Sequence, residues 1–539
     1  MKGFTCRPAC IERTLTTSLT SSVPQPAEAK CPFYHRHQES AEAVSCSVDF
    51  PSEKPYEAIP SPKGLPLMGT TFELLSSGGA PKIHEYCDKR HKELGCIYRE
   101  KLGSVEAVFV ADSELIQSIY QNEGRYPMHL VPEPWLIYNE TKGIQRGLFF
   151  IGLCFDDNNT MSLNRDGPQW NERRKSLNKV FRQQTVSAYA KVFNEVINDL
   201  LQRWRKVRRE DVELIDLERE LYSWSIDSLG TMIFGQRLGC VTSDSKIENI
   251  YEFVQCVQQI FTESAHMTVI PPRLAYVLKL PVWKRFVKAA DRALHLAKTY
   301  VDVNVKDILS KAEVGEPVEG VLSQLLLEDK IDKEEIVRIV TDLFLAAADT
   351  TSHATQWTLY MLAKYPECQK KVVDEVNRVI SPGQNIQEVH LQHLPYLKAV
   401  IKEALRLYPV APFLTRILPQ DIVLNGYRVP AGKLILMSLY TTGRDPKYFP
   451  NPDHFKPDRW LRIRDTRDII STFAFLPFGF GIRSCIGRRV AEMQMQFLLA
   501  RTVQAFHLVS ANTRDVNITM RMITTPDEPI RLRLEDRVK

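Results

Sequence analysis

Phe478-Gly479-Phe480-Gly481-Ile482-Arg483-Ser484-Cys485-Ile486-Gly487-Arg488-Arg489 is the stretch from which the rest of the chain can be read. It sets one cysteine in a glycine-containing turn just before a helix, with an arginine two residues upstream. Glycines let the backbone come close to a flat partner where a side chain would clash. The N–H groups that open the following helix favour a negative sulfur, as they would any anion. Arg483 offers a planar fork of donors suited to a carboxylate. A thiolate, a close backbone approach and a carboxylate partner together suit the axial ligation of haem iron by Cys485, with Phe478, Gly479 and Gly487 around the cofactor and Arg483 on a propionate. Thiolate ligation favours O–O cleavage, the chemistry of oxygen activation rather than oxygen carriage.

Two other readings of the turn exist. Gly479 and Gly481 start a G-x-G dinucleotide loop, but Ser484 stands where the third glycine belongs and no acid follows at the required offset. A structural cysteine buried in a turn is the other. The length of the pattern Phe-x-x-Gly-x-Arg-x-Cys-x-Gly favours the ligand.

The 539 residues are 44% hydrophobic and 25% charged, an ordinary globular balance able to bury a large core. A net charge of +5 is small for this length and argues against nucleic acid as the main partner. Eleven cysteines at irregular spacing include no C-x-x-C pair, so neither a zinc site nor a disulfide framework is expected, and a reducing compartment suits them. No run of about 18 apolar residues occurs, so no membrane-spanning helix is expected.

Residues 1–50 differ in composition from the remainder of the chain. Thr14 to Ser22 is rich in Ser and Thr, Lys2, Arg7 and Arg13 are basic, and Glu12 is a lone early acid. With no long apolar core this is not a secretory signal, and the composition suits a mitochondrial presequence and lead-in, a tail without an address being the alternative. One catalytic domain is expected over 51–539, its core beginning near Tyr56 at the proline-punctuated Ile59-Pro60-Ser61-Pro62-Lys63-Gly64-Leu65-Pro66.

Ile336, Val340, Leu343, Ala347 and Trp357 recur at helical spacing, which predicts one long helix from Glu334 to about Lys364. Leu397, Val400, Ile401, Ala404 and Leu405 predict a second from Leu394 to Tyr408, stopped by Pro409. Strands are expected near Val105–Val110, Ile422–Val429 and Leu434–Leu439. Pro446, Pro450, Pro452 and Pro457 mark an irregular approach to the cysteine turn. The fold class is therefore mainly α with a small β-sheet subdomain.

Glu403 and Arg406 lie one turn apart, where their side chains can meet. Closure of Arg459 on Glu403 would make a buried ionic lock that fixes the approach to the cysteine turn. In the long helix, Ala346-Ala347-Ala348-Asp349-Thr350-Thr351 places an acid and hydroxyls among small side chains that leave room for a planar cofactor and oxygen. Thr350 is read as the hydrogen-bond donor to oxygen and Asp349 as the acid that feeds protons through water. Both could instead satisfy nearby backbone groups in a buried helix. Trp170 and Arg174, four apart, can face one propionate, and Arg416 is a third candidate.

Together these motifs resemble the haem-thiolate monooxygenases, the cytochrome P450 family, over essentially Tyr56 to the C-terminus. The resemblance implies haem b between the long helix and the helix after Cys485, with O2 and NADPH-derived electrons. Ala347 departs from it, since glycine is usual there. Lys398, Lys402, Arg488 and Arg489 are similar to the docking patch of the mitochondrial class, which takes electrons from an acidic iron–sulfur ferredoxin. Four stretches, Leu407-Tyr408-Pro409-Val410-Ala411-Pro412-Phe413, Leu418-Pro419-Gln420-Asp421, Ser438–Pro446 and Met520–Asp527, are similar to the arthropod ecdysteroid 2-hydroxylases. That implies conversion of 2-deoxyecdysone to ecdysone, with hydroxylation at carbon 20 or 22, another sterol substrate, an electron-independent rearrangement or a non-catalytic haem sensor or haem- or steroid-binding protein as alternatives. The implied substrate pocket draws on Gly147–Phe155, Leu345, Ala346, Val410, Phe413 and Met520–Thr524, Ile523 among them. A monomer is expected, peripheral on the matrix side of the inner membrane, touching it near Ile270–Trp283.

Overall fold

The computed structural model describes residues 53–66, 68–103, 105–143, 154–155, 161–162, 167–242, 250–316, 319–327, 333–461 and 470–537. The presequence reading and most of the Gly147–Phe155 pocket segment lie outside them. Cys154–Phe155 pairs as a short strand with Met161–Ser162. Ser52–Lys539 forms one compact unit.

The periodic apolar positions of the middle of the chain become a helix over Lys333–Lys364, called the central helix below. Ile336, Val340, Leu343 and Trp357 are all buried along it. The helix packs on Leu217–Phe234, nearly every residue of which is buried, and on the C-terminal helix Arg488–Ala505. An element enclosed on all sides needs apolar or hydrogen-bonded residues all round. The hydroxyls of Ser352, Thr355 and Thr358 meet that need by donating to the carbonyls four residues upstream.

Pro395–Leu407 is the second expected helix, with proline in its first turn and Tyr408 closing it before Pro409. Below, it is the Glu403 helix. The main sheet has four strands in the order Ile97–Leu102, Val105–Val110, Leu434–Ser438, Phe413–Ile417. The Val105–Val110 strand runs parallel to Leu434–Ser438 and the other pairings are antiparallel. The segment expected as one strand over Ile422–Val429 is a hairpin of two three-residue strands. Asn425 and Gly426 turn it with φ of 50° and 78°, and the Asn-Gly pair is the signal for such a turn. A second hairpin, Ile518–Arg521 with Ile523–Pro526, turns at Met522, whose φ is 68°. Among the described residues, no helix is long and apolar enough to cross a membrane.

Candidate active site

Cys485 sits in a loop tied to itself. Its N–H donates to Phe478 O at 2.8 Å, Ser484 N–H to Gly481 O at 3.1 Å and Gly479 N–H to Leu476 O at 3.0 Å. Gly479 and Gly481 have φ of 68° and 72°, a region costly to any residue with a Cβ. At Gly481 a Cβ would also lie 2.5 Å from Glu123 Oε1. The glycine requirement is thus backbone conformation and packing on Glu123. At Gly479 the nearest atom to an added Cβ is 3.7 Å away.

The Cys485 side chain is exposed, whereas Cys87 and Cys368 are buried. Protein nevertheless encloses it, and that burial pushes its thiol pKa up, opposed by the Gly487 N–H and by Arg174 and Arg488. An accessible sulfur wrapped in protein faces an internal cleft, the setting for a ligand that a metal would deprotonate. The helix Arg488–Ala505 starts three residues on, as the reading of the loop required.

Three arginines gather beside this loop. Arg174 donates to Ser484 O. The Arg483 guanidinium lies 3.9 Å from the centre of the Trp170 ring and its Nε donates to Pro127 O. Burial lowers Arg483 to about 9, and Arg416 and Arg174 push it further the same way. Burial also lowers Arg174, whose Nε has no hydrogen-bond partner among the described residues. Arg416 is committed otherwise: its Nε lies 2.6 Å from Glu123 Oε2 and Nη1 donates to Thr415 O at 2.8 Å. Arg174 is buried with no carboxylate among its described partners, and the half-buried Arg483 is offset only in part by Glu123. Buried cations demand a partner anion, and two propionates would supply it.

In the central helix, residues 343–345, 348–349 and 351–363 are buried, whereas Ala346, Ala347 and Thr350 keep accessible surface. Those three share one helical face. Thr350 Oγ1 donates to Ala346 O at 2.8 Å, and Ala347 O accepts from Ser225 Oγ at 3.2 Å. Asp349 is buried, its Oδ1 has no hydrogen-bond partner among the described residues, and burial raises its pKa to about 6. A flat group with an accessible thiolate on one side, two arginines at its edge and a helix face of small residues is what haem requires. The residues present fit it.

Glu403, Arg406 and Arg459 meet. Glu403 accepts from Arg406 Nη2 at 2.7 Å and Nε at 2.9 Å, and from Arg459 Nε at 3.0 Å, with both Glu403 and Arg406 fully buried. Lys456 N–H and Trp460 Nε1 complete the carboxylate's partners at 2.9 and 2.8 Å. Arg406 spends its remaining donors on the carbonyls of Gly443, Pro452 and His454. Its partners in the irregular segment carried no sequence signal, because carbonyl groups belong to every residue.

Of the expected pocket residues, Val410 and the hairpin come together through Thr524, whose N–H donates to Val410 O at 3.0 Å and whose Oγ1 donates to Pro409 O at 2.8 Å. Val410, Phe413 and Ile523 are half-buried. Leu345 is buried in the main core next to Phe344, which stacks on Phe234, so the accessible face belongs to Ala346 instead.

Lys398, Lys402 and Arg488 line one open groove with Phe478, Gly479 and Trp460. Lys402 lies over the Trp460 ring at 5.6 Å, and Arg488 pairs with Glu492 at 3.0 Å. Arg489 is exposed, and it donates to Phe181 O at 3.2 Å instead of lining the groove. Sequence reasoning passed over Glu123 and His353. Nothing local marks Glu123, whereas His353 stands one helical turn from Asp349, a spacing visible in the chain.

Residues 59–534 match the family described as Cytochrome P450. The chain is 35% identical over 499 residues to Cytochrome P450 315a1, mitochondrial, of Drosophila melanogaster, a match spanning 90% of this chain and 89% of that protein. It is 32% identical over 528 residues to Sterol 26-hydroxylase, mitochondrial, of Rattus norvegicus, spanning 95% of each. To the Cholesterol side-chain cleavage enzyme, mitochondrial, of Oncorhynchus mykiss it is 31% identical over 461 residues, 85% of this chain and 86% of that one. Sequence similarity along nearly the whole chain and the enclosed, accessible thiol with its arginines lead to one conclusion: this chain belongs to the cytochrome P450 family and is a haem-thiolate monooxygenase.

Proposed function

We propose that this enzyme is a mitochondrial sterol-class hydroxylase that converts 2-deoxyecdysone to ecdysone with electrons delivered by a ferredoxin. The observation that carries the chemistry is Cys485, accessible yet enclosed, beside the buried Arg174 and the half-buried Arg483. The sterol class is supported by relatives whose names specify sterol 26-hydroxylation and cholesterol side-chain cleavage. The choice of carbon 2 rests on the stretches Leu407–Phe413, Leu418–Asp421, Ser438–Pro446 and Met520–Asp527.

When bound, the haem supplies oxygen activation and the hydroxylating step. Cys485 would hold the iron as thiolate, with the Gly487 N–H and Arg174 favouring the charge. Arg174 and Arg483 would take the propionates. Ala346 and Ala347 would leave room for the haem and its substrate, and Thr350 brings a hydroxyl to the same helix face. Asp349, raised to about 6 by burial, can take up and release a proton near physiological pH. Val410, Phe413 and Ile523 offer the apolar wall on which a rigid, fused-ring substrate is oriented.

Lys398, Lys402 and Arg488 ring the groove on the cysteine-loop side, a cationic surface for an acidic ferredoxin. Leu274, Val277 and Leu278 are exposed together around the short helix Pro272–Val277, which suits peripheral contact with the inner membrane and entry of a lipophilic substrate. Incubation of the holoenzyme with ferredoxin, its reductase, NADPH and 2-deoxyecdysone tests the reading. Ecdysone is the expected product. A hydroxyl at carbon 20 or 22 would overturn the assigned position. Displacement of the iron's water by steroid without turnover would overturn catalysis itself.

A further inference from the structure

Asp349 and His353, one turn apart on the central helix, are each 2% exposed. His353 Nδ1 is 2.9 Å from Asp349 O, so this nitrogen carries hydrogen and donates to the carbonyl. The same nitrogen is 3.6 Å from Asp349 Oδ1. On the other side of the ring, Nε2 is 3.8 Å from Glu218 Oε1, a gap that a small rotation of the carboxylate closes. Glu218 opens the helix Leu217–Phe234, its side chain is 35% exposed, and it accepts from Gln258 Nε2 at 2.8 Å. Asp349 Oδ1 and His353 Nε2 are both buried without a hydrogen-bond partner among the described residues. Leaving two buried polar atoms unsatisfied and in line costs stability, and suggests a use.

We infer that Glu218 and His353 form the proton inlet of this enzyme, carrying protons from solvent to Asp349. The inference rests on the reading of Asp349 as the proton-bearing acid. Hydroxylation takes up two protons with two electrons for each O2, since R–H + O2 + 2e⁻ + 2H⁺ gives R–OH + H2O. Those protons start in water, and Asp349 has almost no contact with it. In the relay a proton passes from Glu218 to Nε2 while the Nδ1 proton leaves for Asp349 Oδ1. Imidazole is neutral before and after, and water-assisted transfer of the ring proton from Nε2 back to Nδ1 restores the starting tautomer. The groups facing Asp349 are His353 on its own helix, Glu218 from the neighbouring helix and Arg521 from the hairpin Ile518–Pro526, with Tyr222 edge-on to the His353 ring at 5.9 Å. Burial holds the Asp349 carboxyl near 6, where it can both accept and give a proton at physiological pH. His353 acts through Asp349, so it is a positioning residue.

His353→Asn and Glu218→Gln test the inlet in the holoenzyme with ferredoxin and NADPH. The reduced carbon monoxide spectrum checks the haem environment, and Glu218→Gln, at the surface end, decides alone where His353→Asn fails to incorporate haem. Product per NADPH should fall about tenfold in each, with the balance appearing as peroxide, less than the full effect of positioned proton transfer because water partly replaces the ring. The solvent deuterium isotope effect on kcat should rise about twofold, with KM unchanged. In infrared titration the protonated carboxyl band lost in Asp349→Asn should move its midpoint to higher pH in His353→Asn, because the Nδ1 N–H 3.6 Å from Asp349 Oδ1 favours the ionised carboxylate. Wild-type coupling and isotope effects in both variants, with Asp349→Asn impaired, would overturn the inlet. Wild-type coupling in Asp349→Asn as well would overturn the role of Asp349 instead.

Discussion

Asp349 shows how one side chain ties chemistry to stability. Burial raises its carboxyl from the ordinary 3.8 to about 6, so the folded state binds this proton more tightly than the unfolded chain does. Its contribution to stability is therefore greatest below the unfolded value and is lost as pH climbs through about 6. The loss is on the order of 2–3 kcal/mol at neutral pH. Asp349→Asn should remove that slope, and denaturant midpoints measured between pH 5 and 7.5 should rise relative to wild type toward the alkaline end. Thr350 is placed differently: its hydroxyl already donates to Ala346 O, so its removal costs little in folding. Thr350→Ala should fold normally and divert oxygen to peroxide. Full coupling of NADPH to product in that variant would dismiss the hydroxyl from proton handling. Both residues were legible from an acid and hydroxyls among alanines, while the orphaned carboxylate oxygen, and hence its raised pKa, arises only once neighbouring helices close over it.

At the scale of elements, three donors of the irregular proline-rich segment hold the Glu403 carboxylate, which accepts two more from Arg406 on its own helix. Glu403→Gln keeps the shape and removes the charge, leaving Arg406 fully buried with only carbonyls for partners. Breaking such a pair costs about 3–5 kcal/mol. A clear fall in denaturant midpoint is expected. The exposed Lys371–Asp458 pair is the control, since Lys371→Gln should change stability by less than about 1 kcal/mol. The Glu403–Arg406 spacing was readable because a helix brings i and i+3 together. Closure by Arg459, more than fifty residues away, was a guess from composition, since no local rule sets the path of an aperiodic segment. The Asn425-Gly426 turn went the other way. Its dipeptide was present in the sequence, yet two strands of three residues were too short for periodicity to separate.

Over the whole molecule, charge is sorted into two places with different tasks. Inside, Arg174 and Arg483 converge from positions more than three hundred residues apart on the edge of the cysteine loop. Outside, Lys398 and Lys402 from one helix and Arg488 from another share a groove. Steering by such a surface acts through long-range attraction and fades with salt, the Debye length shrinking to about 8 Å at physiological ionic strength. Lys402→Gln should therefore slow electron delivery from ferredoxin several-fold at low salt and little at high salt, as read by stopped-flow reduction across a salt series. Equal rates for variant and wild type at low salt would remove Lys402 from the docking surface.

The sequence by itself determined the glycine-flanked cysteine turn before a helix, the long helix with its acid and hydroxyl, and the Glu403–Arg406 pair. Each is encoded within a dozen residues, where backbone periodicity and glycine conformation dictate what neighbours what. Only the tertiary structure decided that Glu123 neutralises Arg416 and props Gly481, that Arg489 turns to Phe181, and that Glu218 stands behind His353. These are contacts between distant segments, fixed by packing and by the need to pair buried charge, and no local pattern carries that information.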